Sequence, residues 1–70
     1  MKYAVVIEKG ESSFGAYVPD LPGCVATAET REEALVLIHE AIEFHIQGLK
    51  EDGEVIPAPS SSIEIIEVAA

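Results

Sequence analysis

Seventy residues with thirteen acidic and four basic side chains carry a formal charge of −9. That balance argues against direct binding to DNA or RNA backbones and to anionic membrane surfaces, where lysine and arginine do the work, and makes a basic protein the natural partner. One cysteine rules out an intramolecular disulfide, no Cys/His spacing suggests zinc, and so short a chain buries only about 60% of its unfolded surface, so self-association is expected to support it.

In chain order, residues 2–9 read as a strand, with Tyr3, Val5 and Ile7 on one side and Ala4, Val6 and Glu8 on the other. Gly10-Glu11-Ser12-Ser13 is a turn by composition. Residues 14–18 and 24–29 read as two further strands, joined by the corner Pro19-Asp20-Leu21-Pro22-Gly23-Cys24. Each proline fixes its own φ and pushes Val18 or Leu21 out of the helical region, and Gly23 lets the chain leave the corner. Such short links favour an antiparallel meander.

A helix is predicted over residues 31–52, with Thr30 as N-cap and Glu33 closing a capping box. At about 100° per residue, Ala34, Leu35, Ile38, Ala41, Ile42, His45, Ile46 and Leu49 share one face. Gly53 suits the position just past the helix end. A narrower apolar stripe, Leu37, Phe44 and Gly48, runs beside the core face and is not needed to cover a small sheet.

A proline-stiffened link over residues 54–62 leads to a last predicted strand at residues 63–68. The expected fold class is therefore α+β, as a single domain of β-β-β-α-β topology. One helix covers one sheet face, and a right-handed crossover sets the last strand beside the first. Because strands 1 and 4 are apolar on both sides, the uncovered face joins the Leu37–Phe44 stripe as the expected contact surface. The apolar run at residues 3–7 is too short for a signal peptide or a membrane span, and a lone cysteine suits a reducing compartment, so a cytoplasmic location is expected.

Gly15 to Cys24, Thr30 with Glu33-Ala34, Glu40-Ala41-Ile42, and Glu51-Asp52-Gly53 ahead of Ile56-Pro57-Ala58-Pro59 form an ordered set at this spacing. In that set the chain resembles the HicB family, the antitoxin half of HicA–HicB toxin–antitoxin pairs. The resemblance implies a partial ribonuclease-H-like fold that usually self-associates, as dimer or tetramer. It also implies a small HicA-like toxin as partner, an mRNA-cleaving ribonuclease of double-stranded-RNA-binding-like fold whose active site the antitoxin masks. Many family members continue into a C-terminal DNA-binding domain. The sequence here ends at Ala70, which puts operator binding in doubt. Leu37 stands where the family often has a polar residue, enlarging the apolar stripe. The alternative reading is a stand-alone homo-oligomeric binding module without a toxin.

No catalytic, metal or cofactor site is expected. Nuclease chemistry on such a fold needs carboxylates converging on metal ions, and no such set stands out in the sequence. Cys24 has no base placed for it and is expected to pack. His39 and His45 are six apart rather than four, so they do not share a helical face as ligands; His39 is expected in solvent and His45 at the core edge. Asp20 is expected to hold its own turn, with toxin contact as the other reading. Glu51, Asp52 and Glu54 put charge of the wrong sign at a helix C-terminus, read first as a solvated loop and otherwise as attraction for a basic partner; with Leu37 and Phe44 they complete the candidate partner-binding set.

Overall fold

The chain, described over residues 1–70 by a computed structural model, forms three strands and a helix. These are β1 (Val6–Lys9), β2 (Phe14–Tyr17), β3 (Val25–Ala28) and α1 (Arg31–Glu51). The strands make one antiparallel sheet in the order β1-β2-β3, so the fold class is α+β. Ile7, Ala16 and Ala26 are cross-strand neighbours on the face that packs toward the helix. Val6, Tyr17 and Val25 are neighbours on the opposite, open face, where Tyr17 is 39% and Val25 64% exposed.

The corner after β2 is two turns in series. Leu21 N–H donates to the Val18 carbonyl at 3.1 Å, and Cys24 N–H donates to the Leu21 carbonyl at 3.0 Å. In the second turn Pro22 precedes Gly23, whose φ is +83°; proline followed by a positive-φ glycine is the signature of a type II turn. Val18 N–H donates to the Cys24 carbonyl across the base at 3.2 Å, closing the corner. The arrangement drives Leu21 inward until it is wholly buried, beside buried Val18 and Cys24. The corner thus supplies half of the six-residue core; Ala16, Ala34 and Ile38 supply the rest. Burial pushes the Cys24 thiol pKa up, as suits packing rather than reactivity.

The helix starts and stops where its end signals stand. Thr30 Oγ1 accepts from Glu33 N–H at 3.1 Å, so the Thr30 arm of the capping box forms; the returning bond from the Glu33 carboxylate does not. At the other end Gly53 takes φ +69° and donates to the Lys50 carbonyl, while Glu54 N–H donates to the Leu49 carbonyl at 2.9 Å. That pair of bonds is a Schellman motif, and it satisfies two of the orphaned carbonyls.

Strand and helix lengths are mismatched. Four-residue strands span about 13 Å, whereas a 21-residue helix runs about 31 Å. Ala34 and Ile38 are buried over the sheet, Ala41 and Ile42 are half-buried, and His45, Ile46 and Leu49 overhang, only partly covered. Leu35, expected on the core face, is 39% exposed. The helix packs on β3 and β2 and barely reaches β1. Tyr3 and Val5 pack at the core edge without strand pairing, because β2 turns away at the Pro19 corner and leaves residues before Val6 no partner.

The predicted last strand is not formed. Residues 63–68 make no backbone hydrogen bond to other backbone groups and are exposed, with Ile65 at 93% and Ile66 at 78%. The tail does pass β1 on the expected side: Ile63 and Ile65 border a groove of about 420 Å³ with Val5, Val6, Ile7 and Lys9. A strand apolar on both faces needs cover on both. The one helix, displaced toward β3, gives the tail neither.

Candidate functional site

Exposed apolar side chains lie on the outer face of α1 and along the C-terminal tail. Leu37 is 40% and Phe44 83% exposed, seven residues and two helical turns apart, so they lie on one line along the helix. Half-buried Gly48 extends that line. One flank of the stripe is the core face, through Ala34 and Ala41. The other carries Glu33, Glu40 and Glu51, all exposed, so an acidic border runs beside the apolar ridge. Gln47 Nε2 donates to Glu51 Oε1 at 3.2 Å and fixes that end of the border. Val36, 59% exposed, lies beyond the acidic flank. Sequence reading passed over it because a single valine off both stripes carries no periodic signal.

Glu51, Asp52 and Glu54 are all exposed around the Schellman turn, with Lys50 beside them. They therefore extend the acidic border past the helix end and away from the sheet. His39 and Glu43 approach at 3.9 Å on the solvated side, and His45 is half-buried, each where its spacing placed it.

Asp20 belongs elsewhere. Its Oδ2 accepts the backbone N–H groups of Ser60 and Ser61, both at 2.9 Å. Its Oδ1 accepts their hydroxyls at 3.0 and 2.8 Å. Four donors, two on each oxygen, match the acceptor capacity of a carboxylate. These bonds lower the Asp20 pKa from the usual 3.8 to about 2, the Ser61 and Ser60 amides contributing most. Asp20 was expected to bond within its own turn; its partners lie 40 and 41 residues away, which local turn rules cannot see. A few residues earlier in the tail, the Tyr3 hydroxyl donates to the Pro57 carbonyl. The tail is thus pinned twice before it runs past β1.

A second groove, about 530 Å³, opens between the unpaired N-terminal stretch and the overhanging helix, lined by Met1, Tyr3, Val5, Ile42, Ile46 and Lys50 among others. No three His, Cys, Asp or Glu side chains gather closely enough to hold a metal ion. No helix is long and apolar enough to cross a membrane.

Residues 3–69 match the family described as the HicB_like antitoxin of bacterial toxin-antitoxin systems. The chain belongs to that family. Among individual relatives of this HicB-like chain, a Photorhabdus laumondii protein named Antitoxin HicB 2 is 35% identical over the whole chain, which spans 51% of that protein. A UPF0150 protein of Thermoplasma acidophilum is 47% identical, with 81% of this chain and 84% of that one aligned. A 14.9 kDa protein of Haemophilus phage HP1 is 44% identical over 81% of this chain, which covers only 43% of it. The HicB-like chain therefore spans about half the length of two of these relatives and most of the third. In three dimensions it is similar to a chain of a HicA3 and HicB3 toxin-antitoxin complex, with a TM-score of 0.73 and 30% identity. That match covers 86% of this chain and 70% of the other.

Proposed function

We propose that this HicB-like chain acts by binding, as an antitoxin that docks on a small basic HicA-like toxin, an mRNA-cleaving ribonuclease, and masks its active site. The observation that carries this reading is the Leu37–Phe44 ridge with its acidic border. An apolar centre fenced by charge of one sign is how a specific protein interface is laid out. A ribonuclease must present positive charge to hold RNA, so the acidic border and the −9 net charge complement it and raise the encounter rate. Similarity to a toxin–antitoxin complex supports the same reading.

In this mechanism the chain needs no catalytic group. Glu51, Asp52 and Glu54 steer the toxin toward the helix end, Leu37 and Phe44 exclude water at the centre, and the body of the chain blocks RNA. Asp20 contributes indirectly, by holding the tail. The lone buried thiol suits work in a reducing cytoplasm. The partial ribonuclease-H-like character of the sheet is part of this reading, as a scaffold rather than a catalyst.

The test is a titration of the purified chain into a HicA-like toxin cleaving a labelled RNA. Stoichiometric loss of cleavage is the expected result, with Phe44→Glu losing inhibition while retaining the helical signal. Full inhibition by both Phe44→Glu and Leu37→Glu would overturn the proposed surface. No inhibition by the wild-type chain would favour the stand-alone binding module.

A further inference from the structure

The two ends of this chain hold each other. Residues 1–5 precede β1, have no strand partner and make no backbone–backbone hydrogen bond. The Tyr3 hydroxyl ties them to the rest of the fold, through the Pro57 carbonyl. Residues 57–61 also lack backbone–backbone hydrogen bonds; Tyr3 holds them at one end and Asp20 at the other. We propose that the Asp20 clamp, acting through this link, positions one wall of the groove between the N-terminal stretch and α1, so that the tail and the groove are coupled.

Coupling between two ends needs stiff parts between them, and the chain supplies them. Asp20 lies in the first turn of the corner, between buried Val18 and wholly buried Leu21, whose N–H closes that turn on the Val18 carbonyl. The clamp is therefore anchored to the core. Pro57 and Pro59 fix their own φ and hold Ile56 and Ala58 extended, so the link is a short rod rather than a loose tether. From Pro57 to Ser60 such a rod spans about 9 Å. Four bonds to Asp20 fix its far end, and the Tyr3 bond joins its near end to the N-terminal stretch.

Tyr3 carries the position of the rod into the groove of about 530 Å³. Met1, Tyr3 and Val5 form one wall, and Ile42, Ile46 and Lys50 of α1 face them. Asp20, Ser60 and Ser61 do not line it, so they reach it only through the rod. No ladder of strand bonds fixes residues 1–5, which leaves the Tyr3 bond and side-chain packing to set the wall. Opening the clamp frees the rod, Tyr3 loses its fixed acceptor, and the wall moves away from Ile42 and Ile46. The relation is reciprocal: whatever displaces the N-terminal stretch loosens the clamp by the same free energy. This inference concerns the chain's own conformation and stands or falls separately from toxin binding.

The experiment is NMR of the full chain, with labelled isoleucine and alanine methyl groups and amide hydrogen exchange. Asp20→Ala is expected to shift the Ile42 and Ile46 methyl resonances while the methyl of Ala34, wholly buried over the sheet, keeps its position. Ser60→Ala with Ser61→Ala, which removes two of the four donors and leaves Asp20 intact, is expected to shift the same two isoleucines by less. Tyr3→Phe keeps the ring and removes the hydroxyl, and should speed amide exchange at Ser60 and Ser61 by about fivefold or more, the lower end of a coupling between sites. Ile42 and Ile46 resonances that stay in place when the clamp is broken overturn the proposal. So does unchanged exchange at Ser60 and Ser61 in Tyr3→Phe. If Ala34 also moves in Asp20→Ala, the corner itself is disturbed, and the paired serine variant decides by the same criterion.

Discussion

Asp20 and Ser61, 41 positions apart, are joined by two hydrogen bonds, from the Ser61 amide to Oδ2 at 2.9 Å and from its hydroxyl to Oδ1 at 2.8 Å. Ser60 repeats the pair. Asp20 is held in place by the Pro19 and Pro22 turns, so a rigid corner becomes the post to which the C-terminal tail is tied. Removing the carboxylate should free the tail without unfolding the core. Asp20→Ala is expected to speed proteolysis between residues 57 and 70 while the helical signal stays unchanged. Equal cleavage rates in wild type and variant would show that the clamp does not restrain the tail.

The same carboxylate sets a pH dependence. Its folded pKa is lowered from 3.8 to about 2, so the clamp's contribution is fully present above about pH 4 and is lost as pH falls through about 2. Ser60 and Ser61 amide resonances should therefore hold their positions from neutral pH down to about pH 3 and move only below it. Movement centred near 4 would show that the bonds are not made in solution.

Two glycines should respond to alanine with opposite sign. At Gly23 a new Cβ meets nothing within 4 Å, so the cost lies wholly in the backbone, at φ +83°. Gly23→Ala should destabilise by about 1–2 kcal/mol. Gly48 sits inside α1 with open space around it, and Gly48→Ala should stabilise by about 0.5–1 kcal/mol. Thermal melts of the two variants, moving in opposite directions by several degrees, are the check.

Core and ridge should separate cleanly by truncation. Leu21 and Ile38 are the fully buried large side chains of a six-residue core, and Leu21→Ala or Ile38→Ala should each cost about 2–5 kcal/mol. Phe44→Ala, at an 83% exposed position, should change stability by no more than about 0.5 kcal/mol. Denaturant titration of the three variants measures the difference. A large loss at Phe44 would mean that it is covered in solution, and by a partner chain if the loss depends on concentration.

The charge cluster at the helix end makes a kinetic prediction. Reversal of Glu51, Asp52 and Glu54 to lysine should slow association with a basic toxin at low salt and leave dissociation nearly unchanged, with the difference shrinking as salt is added. Stopped-flow association at two ionic strengths checks this. Unchanged rates at low salt would remove the steering role.

Local chemistry determined much of this protein from sequence alone. The meander, the Pro19–Cys24 corner, the Thr30 cap, the helix span and the exposure of Leu37 and Phe44 all follow from φ restrictions, capping and 3.6-residue periodicity. Those effects act over a few residues and are written in the chain. Three features were decided only in three dimensions. β1 begins at Val6 because its partner strand ends at Tyr17, a pairing constraint and not a propensity. Asp20 serves the tail because folding carries Ser60 and Ser61 to it across 40 residues of chain. Residues 63–68, strand-like through Ile63, Ile65, Ile66 and Val68, stay unpaired because strand formation depends on a neighbour and on cover for both faces. A helix bonds within its own segment and can be read there; a strand is completed by whatever lies beside it.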